Sequence, residues 1–383
     1  MRKVLKGVGL FLFLAVLGIN LYVLFSGKTF FYKALRYNFA GVDDYSIFEN
    51  RTLHKSSFPQ PWLQSRYFNQ KQPTEKLQKT LDSLETFAFL IIKNDSLVYE
   101  KYNDGYGPSS YSNSFSMAKS VVSMLVGVAI QEGKIKNIDQ PVSDFLANFK
   151  KGGKEKITLR HLLTMSSGLN WDESYSNPFS MTTEAYYGSD LNSLLAKVES
   201  VEEPGKYFRY LSGNTQLLAM VLEKATGKRL SQYAQEKLWQ PMGMEQDALW
   251  SLDKANGMEK AYCCLNSNAR DFARIGKLYL QKGRWGSQFL IDSAYVKQSL
   301  VPAPLLNPDE NNAKVDFYGF QFWLIPHYHD FSIFYLRGIL GQYIIVVPEK
   351  QLIIVRLGKK RGQKQGEHYA ELFTYVDEVC KMF

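Results

Sequence analysis

Ser116 and Lys119 stand three residues apart, and an almost wholly apolar stretch follows them, Ser120-Val121-Val122-Ser123-Met124-Leu125-Val126-Gly127-Val128-Ala129-Ile130. Residues at that spacing share one face of a helix, so a hydroxyl and an ammonium there can meet. A lysine held against an apolar helix loses solvation of its charge, and its pKa falls. Once neutral, it can take the serine proton and activate a nucleophile that is weak near neutral pH. The chemistry this pair predicts is acyl transfer through a serine. A chain of 383 residues holds about one or two S-x-x-K strings by chance. A second string exists, Ser251-Leu252-Asp253-Lys254, among Asp, Asn and Gly. It reads as a solvated loop.

Other chemistries find less support. A Ser-His-Asp triad on a strand-to-helix elbow needs G-x-S-x-G, which the chain lacks. His161 reads instead as a hydrogen-bonded core residue. The histidines show no H-E-x-x-H, and the three cysteines (Cys263, Cys264, Cys380) have no zinc-site spacing. Adjacent cysteines are poorly placed to bond each other, so Cys263 and Cys264 are not expected to pair. No metal is implied. The net charge of +9 is scattered, apart from Lys359-Lys360-Arg361, and gives no nucleic-acid stripe.

The elements that must position the pair follow from periodicity. Gly7 to Phe25 is an apolar run of bilayer length after Arg2, Lys3 and Lys6. It ends Leu24-Phe25-Ser26-Gly27-Lys28, a poor cleavage site, so a retained anchor is favoured over a signal peptide. Residues 28–75, rich in aromatics and Pro, read as an extended lead-in packed on the surface. A helix is predicted from Thr74 to Thr86, then a β-hairpin from 87–92 and 97–102 around Lys93-Asn94-Asp95-Ser96. The middle reads as helical, with Gly133, Gly227 and Gly283 as stops. Strands are predicted at 319–324, 332–336, 343–347 and 352–357, then a helix from His368 to Met382. Strands at both ends predict an α/β (α+β) fold: one antiparallel sheet from both chain ends, flanked by helices, with an inserted helical lobe. The expected division is 1–27 cytoplasmic stub and anchor, 28–75 lead-in and 76–383 catalytic domain.

Further motifs occur in order: Ile157 to Leu169 (ITLRHLLTMSSGL), Pro204 to Thr215 (PGKYFRYLSGNT), Ala269 to Gly276 (ARDFARIG) and Gly341-Gln342-Tyr343. With Ser116 and Lys119 they resemble the serine β-lactamase and penicillin-binding-protein superfamily. The narrower resemblance is to its class C, family VIII esterase and 6-aminohexanoate-dimer hydrolase branch, over about residues 85–380. The resemblance implies a β-lactamase/transpeptidase-like architecture and a proton-shuttling tyrosine, Tyr210, with Tyr207 its local rival. It implies that Gly338 matches the glycine of the third motif. The backbone amides of Ser116 and Ile339 would then form the oxyanion hole. Asn214 is expected to contact substrate or to hold its turn, and Tyr175 to contact the leaving group. The usual K-T-G or H-T-G is missing; Tyr335-Leu336-Arg337-Gly338 stands there. That loss points away from potent β-lactam cleavage and toward ester or linear amide substrates.

The expected protein is a membrane-anchored, extracytoplasmic (periplasmic or extracellular) serine hydrolase. It acts on small or peptide-like amides or esters, without a cofactor and without nucleic acid. A D-alanyl-type cell-wall peptidase or weak β-lactamase is the same-class alternative. A non-catalytic binding protein that kept the fold is the other.

Overall fold

Apolar runs from opposite ends of the chain meet in one sheet. The computed structural model describes residues 2–383. Strands β1 (Thr86–Lys93) and β2 (Ser96–Tyr102) form the predicted hairpin. Asn94 and Asp95 take φ of 49° and 62° at its tip, the left-handed pair that matches strand twist in a two-residue turn. Strands β3 (Trp323–Tyr328), β4 (Phe331–Gly338), β5 (Gln342–Val347) and β6 (Leu352–Gly358) come from the far end. The order is β3-β4-β5-β6-β1-β2, antiparallel throughout, with Ile354 of β6 opposite Ile91 of β1.

The helices are α1 (Arg2–Phe25), α2 (Phe30–Tyr37), α3 (Glu75–Ser83), α4 (Met117–Gln131), α5 (Ser212–Thr226), α6 (Ala269–Leu280) and α7 (Ala370–Met382), besides shorter ones. Both faces of the sheet are covered. Phe89, Ile91, Ile345 and Ile354 pack with Leu77 and Leu81 of α3 and Leu372, Val376 and Val379 of α7. Leu90, Ile92, Ile344 and Val355 share the other core with α4, α5 and α6. A sheet buried on both sides needs apolar residues at every position, which is why β1 and β6 show continuous runs. Each aliphatic side chain so buried contributes about 1.5–3 kcal/mol, so even a one-residue slip of register is disfavoured where the two faces differ. The helix signals act locally. The Thr74 side chain accepts from the Leu77 amide at 3.2 Å, and Gly227 ends α5 in the left-handed region.

Four expectations change. Residues 28–75 are not merely extended: they contain α2 and the strand Asn50–Leu53, and bury Phe30, Phe31, Phe48 and Leu53. Their aromatics serve the core, which a search for period missed. The strand expected at 319–324 begins only at Trp323. Gln321 takes φ 64°, and its amide donates to the carbonyls of Leu162 and Leu163, so it leaves the ladder. Ser251 is not solvated: it ends the strand Ala248–Ser251, buried, and donates to Asn50. Cys263 and Cys264 are joined in a disulfide, on a turn where Cys264 takes φ 68°.

A second, four-stranded sheet runs Asn50–Leu53, Ala248–Ser251, Leu265–Ser267, Ser112–Asn113. It sets the turn before α4 beside the turn at 262–264. Helix α1 is different in kind. Its segment Val4–Phe25 has a mean hydropathy of 2.5 and is almost entirely unburied, long and apolar enough to cross a membrane.

Candidate active site

Ser116 sits at the head of α4, raised by a tight turn. Phe115 before it takes φ 44°, a conformation that costs a non-glycine residue about 1–3 kcal/mol. The buried side chain of Asn113 holds the turn, accepting from the amides of Phe115 at 2.8 Å and Cys264 at 3.1 Å. The backbone before Ser116 is thereby tied to the disulfide-bearing turn.

Lys119, one turn along, is buried, with Nζ 2.9 Å from Ser116 Oγ. It also donates to the Tyr262 carbonyl at 2.9 Å and lies over the rings of Tyr210 and Tyr262. Burial lowers its pKa to about 8, with the Glu173 charge working the other way. The apolar face of α4 therefore places a lysine that sheds its proton close to neutral pH. Tyr210 lines the same cleft, flanked by the rings of Tyr318 and Trp323. Burial pushes its phenol up, against its interaction with Ser116, so it keeps its proton. Tyr207 is not among the residues that line this cleft.

Gly338 ends β4. A Cβ there would lie 2.3 Å from the Ser114 carbonyl, so only glycine lets the strand approach the turn before Ser116. Ile339 follows and borders the cleft with Ser116. Arg356, fully buried on β6, holds the turn after it. Its guanidinium donates to the carbonyls of Leu340 at 3.0 Å, Gly341 at 2.7 Å and Lys360 at 2.9 Å.

Two cavities meet at Ser116. One, of about 500 Å3, is mixed in character, with the charged residues Arg209, Asp309, Arg337, Arg361 and Glu367 on its border. Arg337 stacks 3.4 Å over Trp323 and donates to the Glu367 carbonyl. Among the described residues neither Arg337 nor Arg361 has a carboxylate partner. The other, of about 540 Å3, is apolar and bordered by Ala34, Phe115, Tyr186, Tyr262 and Leu340. Tyr175 borders both.

Asn214 is placed otherwise than a substrate contact would be. It is fully buried, accepts from Ser167 Oγ at 2.6 Å and borders neither cavity. It holds the 165–167 turn against α5, the other role its position allowed. His161 likewise takes part in a capping box with Thr158.

Two residues of the site escaped the sequence. Glu173 accepts from the Ser212 amide at 2.6 Å, from Ser212 Oγ at 2.7 Å and from Tyr175 hydroxyl at 2.6 Å. It locks the head of α5 to Tyr175 and puts a negative charge near Lys119. Tyr262 is buried against Lys119, and its hydroxyl has no partner among the described residues. Neither belongs to a short motif, and only the fold brings them in.

The chain belongs to the Beta-lactamase family, whose pattern it matches over residues 75–374. Within the family, it is 27% identical over 236 residues to a 6-aminohexanoate-dimer hydrolase of Paenarthrobacter ureafaciens, a match spanning 59% of each chain. A Bacillus anthracis protein provisionally assigned as a 6-aminohexanoate-dimer hydrolase superposes with a TM-score of 0.74 at 22% identity, over 89% of this chain and 92% of that one. A family VIII carboxylesterase does so with a TM-score of 0.65 at 15% identity, over 84% and 99%.

Proposed function

We propose that this protein is a serine hydrolase that cleaves an amide or ester bond through an acyl-enzyme. The observation that carries the reading is the buried Lys119 ammonium 2.9 Å from Ser116 Oγ, with a pKa lowered to about 8. Neutral Lys119 takes the Ser116 proton as Oγ attacks the carbonyl carbon. The amides of Ser116 and Ile339 receive the oxyanion. Tyr210, held protonated by burial, gives its proton to the leaving amine or alkoxide and recovers one from Lys119. Water then attacks the acyl carbon, its proton passes to the same base, and Ser116 is restored. Gly338 and Tyr175 border the substrate; Asn214 positions the wall behind it. The names of the hydrolase and carboxylesterase relatives favour a linear amide or ester.

We read α1 as an anchor that holds the hydrolase domain, 76–383, outside the cytoplasm, with 28–75 joining the two. The test is the intact mass of the protein after exposure to a fluorophosphonate and, separately, a penicillin. A fluorophosphonate adduct absent from Ser116→Ala, with ester turnover at least about 10³-fold lower in that variant, is the expected result. Adducts with both reagents move the substrate to the cell-wall peptide class. No adduct at Ser116 overturns the reading.

A further inference from the structure

The two cavities that meet at Ser116 differ in character and in what surrounds them. The apolar one has a wall that the hydrolase domain does not supply. Ala34 and Leu35 of α2, and Phe39 just after it, line it opposite Tyr186 and Leu340. Its rim is fastened to α1. Phe31 of α2 stacks on Phe179 at 4.7 Å, and Tyr22 of α1 meets the same ring edge-on at 5.5 Å. Tyr32 donates to Asn20 of α1 at 2.6 Å. Phe179 continues the loop of Tyr175, Ser176 and Pro178 that borders the cavity. So the end of the apolar helix, the α2 wall and the active-site loop form one packed unit.

The wall itself is not covered: Leu35 and Phe39, which line the cavity, are exposed, the latter by 81%, and Tyr32 of the same helix is exposed as well. Of the nearby cations Arg36 is exposed, while Lys28 donates to the Phe179 carbonyl at 3.5 Å and Lys33 lies over the Phe48 ring. Exposed apolar side chains with a cation among them, directly after a membrane-length helix, are what a segment lying in the headgroup region presents. With α1 read as the anchor, the α2 wall sets the apolar cavity beside the membrane end of the chain, while Arg337 and Arg361 border the second cavity that meets it at Ser116.

We propose that the substrate is a membrane-resident amphiphile: an ester or amide whose long hydrocarbon chain enters the apolar cavity past α2. Its polar part occupies the cavity of Arg337, and the scissile carbonyl lies at Ser116 between them. The proposal rests on the hydrolase and anchor reading above. Each CH2 moved from water into such a cavity strengthens binding about fourfold, so reactivity climbs with chain length until the space is full.

The test is the second-order rate of Ser116 modification by alkyl fluorophosphonates from ethyl to dodecyl, read by intact mass, on the full chain in phospholipid nanodiscs. The wild type is expected to gain at least about tenfold between ethyl and dodecyl. Ala34→Trp, which fills the cavity, and Leu35→Asp, which charges its rim, are expected to remove most of that gain, with melting temperatures confirming that each is folded. Bilayer partition alone would give the same gain in wild type and both variants, and overturns the proposal. An ethyl adduct with a flat profile overturns the tail cavity and leaves the hydrolase reading standing. No adduct at any length overturns both.

Discussion

In the proposed mechanism Lys119 is the residue on which the chemistry turns, because it is a base only without its proton. Its pKa, lowered by burial to about 8, sets the direction of the pH profile. Below that value Lys119 is charged and cannot accept from Ser116; above it the base is free. We expect kcat/KM to rise with pH, to half its plateau near pH 8, with Lys119→Arg inactive across the range because a guanidinium is not deprotonated. A profile with no group titrating between pH 7 and 9 contradicts the assignment. Ser116, Lys119 and Tyr210 were legible as candidates, because a spacing and ordered motifs carry them; Ser116 and Tyr210 border one cleft, and Lys119 is buried behind it, bonded to Ser116. Glu173 and Tyr262 were not legible. Their relation to Lys119 exists only after the loop at 173 and the turn at 262 have been folded onto α4.

At the scale of elements, the turn from Gly338 to Gln342 is held from behind by Arg356, whose charge meets no carboxylate among the described residues. Arg356 gives its hydrogens to backbone carbonyls, and a side chain without them leaves several buried acceptors unsatisfied. Arg356→Met is expected to cost about 3 kcal/mol or more of unfolding free energy, read as a lower denaturant midpoint. An unchanged midpoint would show that water replaces the guanidinium. Sequence periodicity located β1, β2, β5, β6 and the helices ended by Gly133, Gly227 and Gly283. It failed where a side chain replaces the ladder, as at Gln321, and where aromatics without a period join the core, as in α2. It also failed at Cys263 and Cys264, where a local turn overrides the usual geometry of adjacent residues.

At the scale of the whole molecule, a second buried lysine makes stability depend on pH. Lys260 is fully buried, donates to the Ala185 carbonyl at 2.9 Å and has no salt-bridge partner among the described residues. Burial lowers its pKa to about 7, the distant Asp253 opposing this and Lys33 adding to it. Between its unfolded value near 10.5 and about 7, the unfolded chain holds a proton that the folded chain does not. Stability is therefore highest above the unfolded value and falls with pH down to the folded one, by about 1.4 kcal/mol per unit at most. Lys119 adds to the same slope down to about pH 8. Lys260→Met is expected to flatten the melting-temperature profile between pH 7 and 10; an unaltered slope would place the titration elsewhere. The sheet drawn from both chain ends was readable from composition. The contact of α1 and α2 with the site was not, since no local pattern joins Tyr22 to Phe179.

That two-ended sheet also imposes an order in time. Arg356 on β6 donates to Thr86 on β1, a partner 270 residues earlier. A ribosome delivers α1, Ser116 and Lys119 first, then the whole helical lobe, before Gly338, Ile339 and Arg356 emerge. Until they do, the β1–β2 hairpin has no neighbour on its β1 edge, and the proposed oxyanion donors are one short. The growing chain thus carries Ser116 and Lys119 already translated yet unassembled, and on the proposed reading catalysis waits for the late strands.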